Sequence, residues 1–262
     1  MAYGIKTSFD SWPCRPLLTE IRPIGAIALV TLLGLAALPV AASDPLRQFL
    51  ISRRCVGCDF SGRVLAGANL DNADLTGSNL AGANLSQARL PRAQMTQVNL
   101  SQANLSQAVI SQADLSESDL TGANLREAVL TGSRLVDVNA VTANLENAEA
   151  RDSNWAGSDL SDSRLDGAVF NQAGFLGANL SRATLTNGKF YRATFIGAQL
   201  DEADFTGADL REALIRDASV DGANFTDADL LGANLARTDL SNAILCNTRM
   251  ANGDINNDHC TD

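Results

Sequence analysis

Apolar residues occupy every fifth position from Phe60 to Ile255 without a slip of frame, opening Phe60, Leu65, Leu70, Leu75 and closing Leu240, Leu245, Met250, Ile255. Of these 40 centres, 31 are Leu or Phe, so the position calls for bulk; two residues earlier stand 26 Ala and six Ser, so that position calls for smallness. An amphipathic helix would space its apolar residues by three and four and a strand by two, and five fits neither. A unit this short cannot bury its own apolar side and must stack on its neighbours. The pattern fits a chain that runs extended for about three residues and then turns a corner, with the centre and the small residue both inward. Four such sides close a square coil of 20 residues.

That coil length predicts vertical neighbours. One coil has Ala140, Leu145, Ala150 and Trp155 at its centres, so the two alanines are expected to make room for the indole. Phe175 and Phe195 fall over Trp155, and Phe190 over Phe170, as interior aromatic stacks. Gly recurs two residues after the centre (Gly62, Gly67, Gly77), where a corner with positive φ is expected. Asn or Asp just before the centre is suited to polar ladders between coils.

The consensus A-[DN]-L-x-x, seen in Ala68-Asn69-Leu70, Ala73-Asp74-Leu75, Ala123-Asn124-Leu125 and Ala208-Asp209-Leu210, resembles the pentapeptide-repeat family. The resemblance implies an all-β fold, a right-handed quadrilateral β-helix over residues 60–255. Ten coils at the usual strand spacing give a rod of roughly 48 Å.

Residues 1–43 lie outside the repeat and have the pattern of a targeting segment. Lys6, Arg15 and Arg22 precede an apolar run from Ile24 to Leu38, and Val40-Ala41-Ala42 offers a cleavage site after Ala42 or Ser43. Retention as a membrane anchor is the other outcome, because Ile24 to Ala42 approaches spanning length. Either places the repeat domain outside the cytoplasm, in a periplasm or thylakoid lumen. Residues 44–59 read as an N-terminal cap. Asp44-Pro45 has the form of an N-cap with Pro at the first helical position, and Leu46, Phe49 and Leu50 share one helix face. Residues 256–262 are a tail with the same duty at the far end.

Without Cys14 the chain holds Cys55, Cys58, Cys246 and Cys260, and an even number in an exported protein favours disulfides. Cys55-Val56-Gly57-Cys58 is not a haem attachment site, because Asp59 stands where His is required. It lacks the βαβ surroundings of a thioredoxin-like redox pair, and further zinc ligands would have to come from His259 and Cys260 at the opposite end. The repeat frame puts Cys55 in a centre slot and Cys58 in a small slot, both inward, with a bond between them left open. The segment from Cys246 to Cys260 is similar to the terminal sequence of exported cyanobacterial members of the family, and a Cys246–Cys260 bond over the last coil is expected on that ground. His259 is the only histidine, and neither a catalytic triad, a metal-ligand set nor a phosphate-binding Gly loop can be assembled. The chain is expected to be non-catalytic and without cofactor.

The net charge of −10 argues against nucleic-acid binding. Some cytoplasmic members of the family resemble duplex DNA and occupy DNA gyrase, so an inhibitor of a DNA-binding enzyme is the alternative function. Residues 60–255 carry 24 acids and 14 bases, however, whereas DNA of that length bears roughly 28 charges. Acids crowd between Asp201 and Asp229, with Asp201 beneath Asp221 and Asp209 beneath Asp229, which makes these four weak Ca²⁺ candidates. The residue after each centre is usually polar, but Val136, Ala156, Leu176 and Ile196 depart at intervals of 20, with Tyr191 and Leu231 on the neighbouring face. That column is the expected contact surface for an unidentified protein partner, β-propensity being the plainer explanation of its residues. Membrane contact is expected only through an uncleaved N-terminus, and the oligomeric state is expected to be a monomer or weak dimer.

Overall fold

Each pentapeptide satisfies its own backbone in one repeating way. A computed structural model describes residues 45–260; the segment 1–43, the N-cap assigned to Asp44 and the last two residues of the tail lie outside the described residues. The centre N–H donates to the carbonyl 19 residues on, as Leu70 does to Arg89 at 2.7 Å. The residue before the centre donates to the coil beneath, as Asn84 does to Arg63 at 2.9 Å. The corner residue donates upward (Gly62 to Ala81, 2.8 Å), and the small residue closes the turn (Ala68 to Leu65, 3.0 Å). Where Asn or Asp stands just before the centre, its side chain commonly takes the fifth N–H, just after the centre: Ser61 N–H to Asp59 Oδ1 at 3.0 Å, Asp71 N–H to Asn69 Oδ1 at 3.1 Å. The consensus is thus a backbone-satisfying unit. Arg89 offers no such acceptor, and the residue after its centre is Pro91, which has no N–H to satisfy. The expected side-chain ladders occur as well, for example Asn79 to Asp59 at 3.1 Å and Asn124 to Asn104 at 3.2 Å.

Parallel bridges link residues 20 apart from Arg54↔Asp74 to Asp229↔Arg249, which makes the coil four pentapeptides long. Every corner from Gly57 to Arg237 has positive φ, between 54° and 72°, whether or not it is Gly. Thr142, at φ 57°, is the β-branched residue among them, and β-branched side chains fit that region poorly.

Inside the coils the centres and small residues form one continuous core from Phe49 to Leu245. The aromatic stacks lie where the spacing puts them: Trp155 on Phe175 (6.4 Å between centroids), Phe175 on Phe195 (5.0 Å), Phe170 on Phe190 (5.6 Å). Ala140 and Ala150, fully buried in the coil of Trp155, leave the indole its space. Its Nε1–H donates to Ser153 Oγ at 2.9 Å, so the small slot two residues earlier is Ser where most are Ala. Gly188 fills the small slot beside Phe190, and a Cβ there would lie 2.5 Å from the ring. Buried serines play a further part. Ser118 Oγ accepts from Val98 N–H (3.0 Å) and donates to Met95 C=O (2.7 Å), bridging a turn of the coil beneath.

The two ends differ from the coils and from each other. At the first, helix α1 (Pro45–Ser52) buries Phe49 against Phe60, 5.0 Å between ring centroids, with Leu46 packed on the core. Leu50 departs from the expected apolar face and is 41% exposed. At the other end strand β1 (Leu245–Arg249) pairs antiparallel with β2 (Ile255–Asp258). Ile255 keeps the sequence frame but not the geometry: it is 53% exposed, because the chain reverses through Gly253 (φ 94°) instead of turning another corner. Asn256, Asn257 and Asp258 beyond it would give a further coil nothing to bury.

Candidate interaction face

The column Val136, Ala156, Leu176, Ile196 runs along one corner, linked step by step where Asp137 donates to Ala156 (2.9 Å), Gly157 to Leu176 (2.9 Å) and Gly177 to Ile196 (3.0 Å). Leu176 is 55% exposed, while Val136, Ala156 and Ile196 are half-buried. The strip is therefore thinner than its sequence suggests, but it does not stand alone. The side next to it carries Asn154, Gly174, Thr194 and Leu214 outward, bridged in register as Asn154↔Gly174, Gly174↔Thr194 and Thr194↔Leu214. That side ends at the corner of Tyr191, Arg211 and Leu231. Corner, side and corner make a continuous face, and residues 171–177 and 191–197, its central coils, contain no carboxylate.

Tyr191 anchors the far edge. Arg192 and Arg211 lie over its ring at 5.0 and 5.8 Å, and its hydroxyl donates to Glu212 Oε1 at 3.2 Å. Arg192 Nε donates to Glu212 Oε2 at 2.7 Å; this bond first, and the tyrosine hydroxyl next, hold the Glu212 carboxyl below its ordinary range. Tyr191, Arg211, Glu212, Leu231 and Gly232 line a shallow cleft. The sequence marks the apolar residues of both corners but not the side between them. The signal present was the uncharged run Gly174, Thr194 and Leu214 in one 20-residue column.

The four acidic candidates are held by protein donors. Asp209 makes two bonds of 2.7 Å with Arg211, which hold its carboxyl below its ordinary range, and Arg211 and Arg249 stand 3.9 and 3.6 Å from Asp229. Asp201 Oδ1 accepts from Asp221 N–H (2.9 Å) and Ser219 Oγ, and Asp221 Oδ1 accepts from Asn242 Nδ2 (2.7 Å). Stacked like charges are thus offset by arginine and amide groups, and among the described residues no cluster of His, Cys, Asp and Glu could hold a metal ion. Cys55 is bonded to Cys58, both half-buried beside α1, and Cys246 to Cys260 across the hairpin. His259 is exposed in the turn beside Cys260. No helix among the described residues is long and apolar enough to cross a membrane.

Parallel bridges every 20 residues make the described coils a four-sided solenoid. The model of pentapeptide repeats matches residues 54–92, 93–132, 108–147, 143–175, 178–217 and 213–252, and the chain belongs to that family, with its right-handed quadrilateral β-helix. Among solved structures it is similar to HetL, a pentapeptide repeat protein involved in heterocyst differentiation regulation from the cyanobacterium Nostoc sp. (28% identity, 80% of this chain and 97% of that one, TM-score 0.52). It also matches QnrB1, a plasmid-mediated fluoroquinolone resistance protein (19% identity, 76% of this chain and 91% of that one, TM-score 0.37). A third match is a pentapeptide repeat protein from the Arabidopsis thaliana thylakoid lumen (30% identity, 44% of this chain and 70% of that one, TM-score 0.22). A comparison with curated proteins found no match.

Proposed function

We propose that the chain is a non-catalytic, extracytoplasmic scaffold, a rod closed by α1 as the cap of its first coil, that binds a protein partner through the face from Leu176 to Leu231. The observation that carries this reading is the face itself: on a molecule of net charge −10, two adjacent coils present Leu176, Ile196 and Tyr191 around Gly174 and Thr194 with no carboxylate among them. Tyr and Arg are among the residues enriched at binding hot spots. Export, to a periplasm or thylakoid lumen, is supported by the apolar run Ile24–Leu38 behind a basic stretch and by the pairing of all four cysteines of the described residues. The alternative, a DNA-mimicking inhibitor of an enzyme such as gyrase, finds less support. Arginines pair with some of the carboxylates along the coils, as in Arg182–Asp162, Arg192–Glu212 and Arg237–Asp217, and interrupt the acidic surface with neutral pairs.

Photo-cross-linking tests the reading. A benzophenone side chain at position 176 should capture one discrete partner in the native compartment, and the same group at Ser106, on the diagonally opposite corner, should not. Capture from both positions, or from position 106 alone, would refute the assignment of the face.

A further inference from the structure

The end of the rod at α1 has a character opposite to the rest. Of the exposed large apolar residues, Leu50 (41%), Ile51 (85%), Val56 (55%) and Val64 (72%) all lie in the helix or the first coil. The same stretch, residues 45–64, carries Arg47, Arg53, Arg54 and Arg63 against the single carboxylate Asp59, in a chain whose net charge is −10. Arg47 and Arg63 are exposed, and Arg54, which stands 3.5 Å from Asp74, keeps 77% of its side chain in solvent. Arg53 reaches Asp71 C=O at 3.2 Å, across the open edge of the first coil.

We infer that this end docks on a lipid bilayer bearing anionic headgroups, with the arginines at headgroup level and Ile51, Val56 and Val64 in the interface. Exposed aliphatic side chains and guanidinium groups distributed around one end supply both ingredients of an interfacial membrane contact, where apolar insertion and attraction to anionic lipid add. A second copy fits this end poorly, since end-to-end contact would bring two sets of arginines together. Charge also sets the orientation. The coils beyond residue 64 carry the carboxylates and are repelled by the same lipid, so the rod stands away from the surface with the Leu176–Leu231 face accessible along its flank. The inference does not depend on what that face binds.

Flotation with vesicles tests it. Asp44–Asp262 forms one compact unit whose core, Phe49 to Leu245, is built from its own residues, so the chain is used from Asp44 onward, without the upstream apolar run that would bind lipid by itself. It should float with phosphatidylcholine vesicles containing phosphatidylglycerol, not with pure phosphatidylcholine, and should release as salt is raised. Ile51→Asp with Val64→Asp, and separately Arg47→Gln with Arg63→Gln, replace exposed side chains and should leave the melting temperature unchanged while lowering the partition coefficient roughly tenfold or more. Failure of the parent chain to float, equal binding to neutral vesicles, or full binding by either variant would overturn the inference. So would a dimer that Ile51→Asp dissociates, formed by a chain that ignores vesicles.

Discussion

Residues in the coil are chosen by slot, and several substitutions test the slots one at a time. Trp155→Ala removes the largest buried side chain of the aromatic column and should cost about 3–5 kcal/mol in denaturant unfolding; a loss under about 1 kcal/mol would contradict its interior stacking on Phe175. Gly188→Ala inserts the very residue that most small slots carry. It should nonetheless destabilise by roughly 1–3 kcal/mol, because the new Cβ meets the Phe190 ring and the Leu185 carbonyl at 3.0 Å. Ser118→Ala leaves Val98 N–H and Met95 C=O without their bridge and should cost about 1–3 kcal/mol, measured in the same way. These residues differ in how well the sequence disclosed them. Trp155 and its alanines were legible because bulk and smallness trade off within one coil of known length. The bridging of Ser118 was not, because a serine in a small slot looks like an alanine until the open turn beneath it is seen.

Coils and their ends obey different rules. The period of five fixed the corners, the vertical neighbours and the polar ladders, since every residue repeats one backbone role. The last coil shows where that logic stops. Met250 and Ile255 hold the apolar frame, yet Ile255 lies in the open on β2, because a centre is buried only when a further coil closes over it. The hairpin is held by the β1–β2 pairing and tied by the Cys246–Cys260 bond, which closes a loop with a sequence separation of 14. Replacing both cysteines with Ser should lower stability by about 3 kcal/mol on loop-closure grounds, and thiol reductants should lower the melting temperature of the parent chain more than that of the variant, which keeps only Cys55–Cys58. Equal melting of parent and variant under oxidising conditions would mean that the hairpin holds without its bond.

At the scale of the whole molecule, surface charge is organised by pairs. Arg182, Arg211, Arg192 and Arg237 donate to Asp162, Asp209, Glu212 and Asp217 and hold those carboxyls below their ordinary values. A carboxylate with a depressed folded-state pKa adds stability above its unfolded value, and that share is lost as pH falls through the folded one. The melting temperature should therefore hold level from roughly pH 5 to 8 and decline below about pH 4. High salt should weaken the decline, since the pairs are exposed. The proposed interaction face was half legible in the sequence. Its two corners stood out as apolar positions in a polar column, whereas Gly174, Thr194 and Leu214 became part of it only once coil stacking joined the corners into a surface. Co-purification of the native protein, beside a variant carrying Leu176→Asp and Ile196→Asp, tests that surface most directly. A specific partner lost from a variant that melts like the parent is the predicted result; the same partner retained by the folded variant would contradict it.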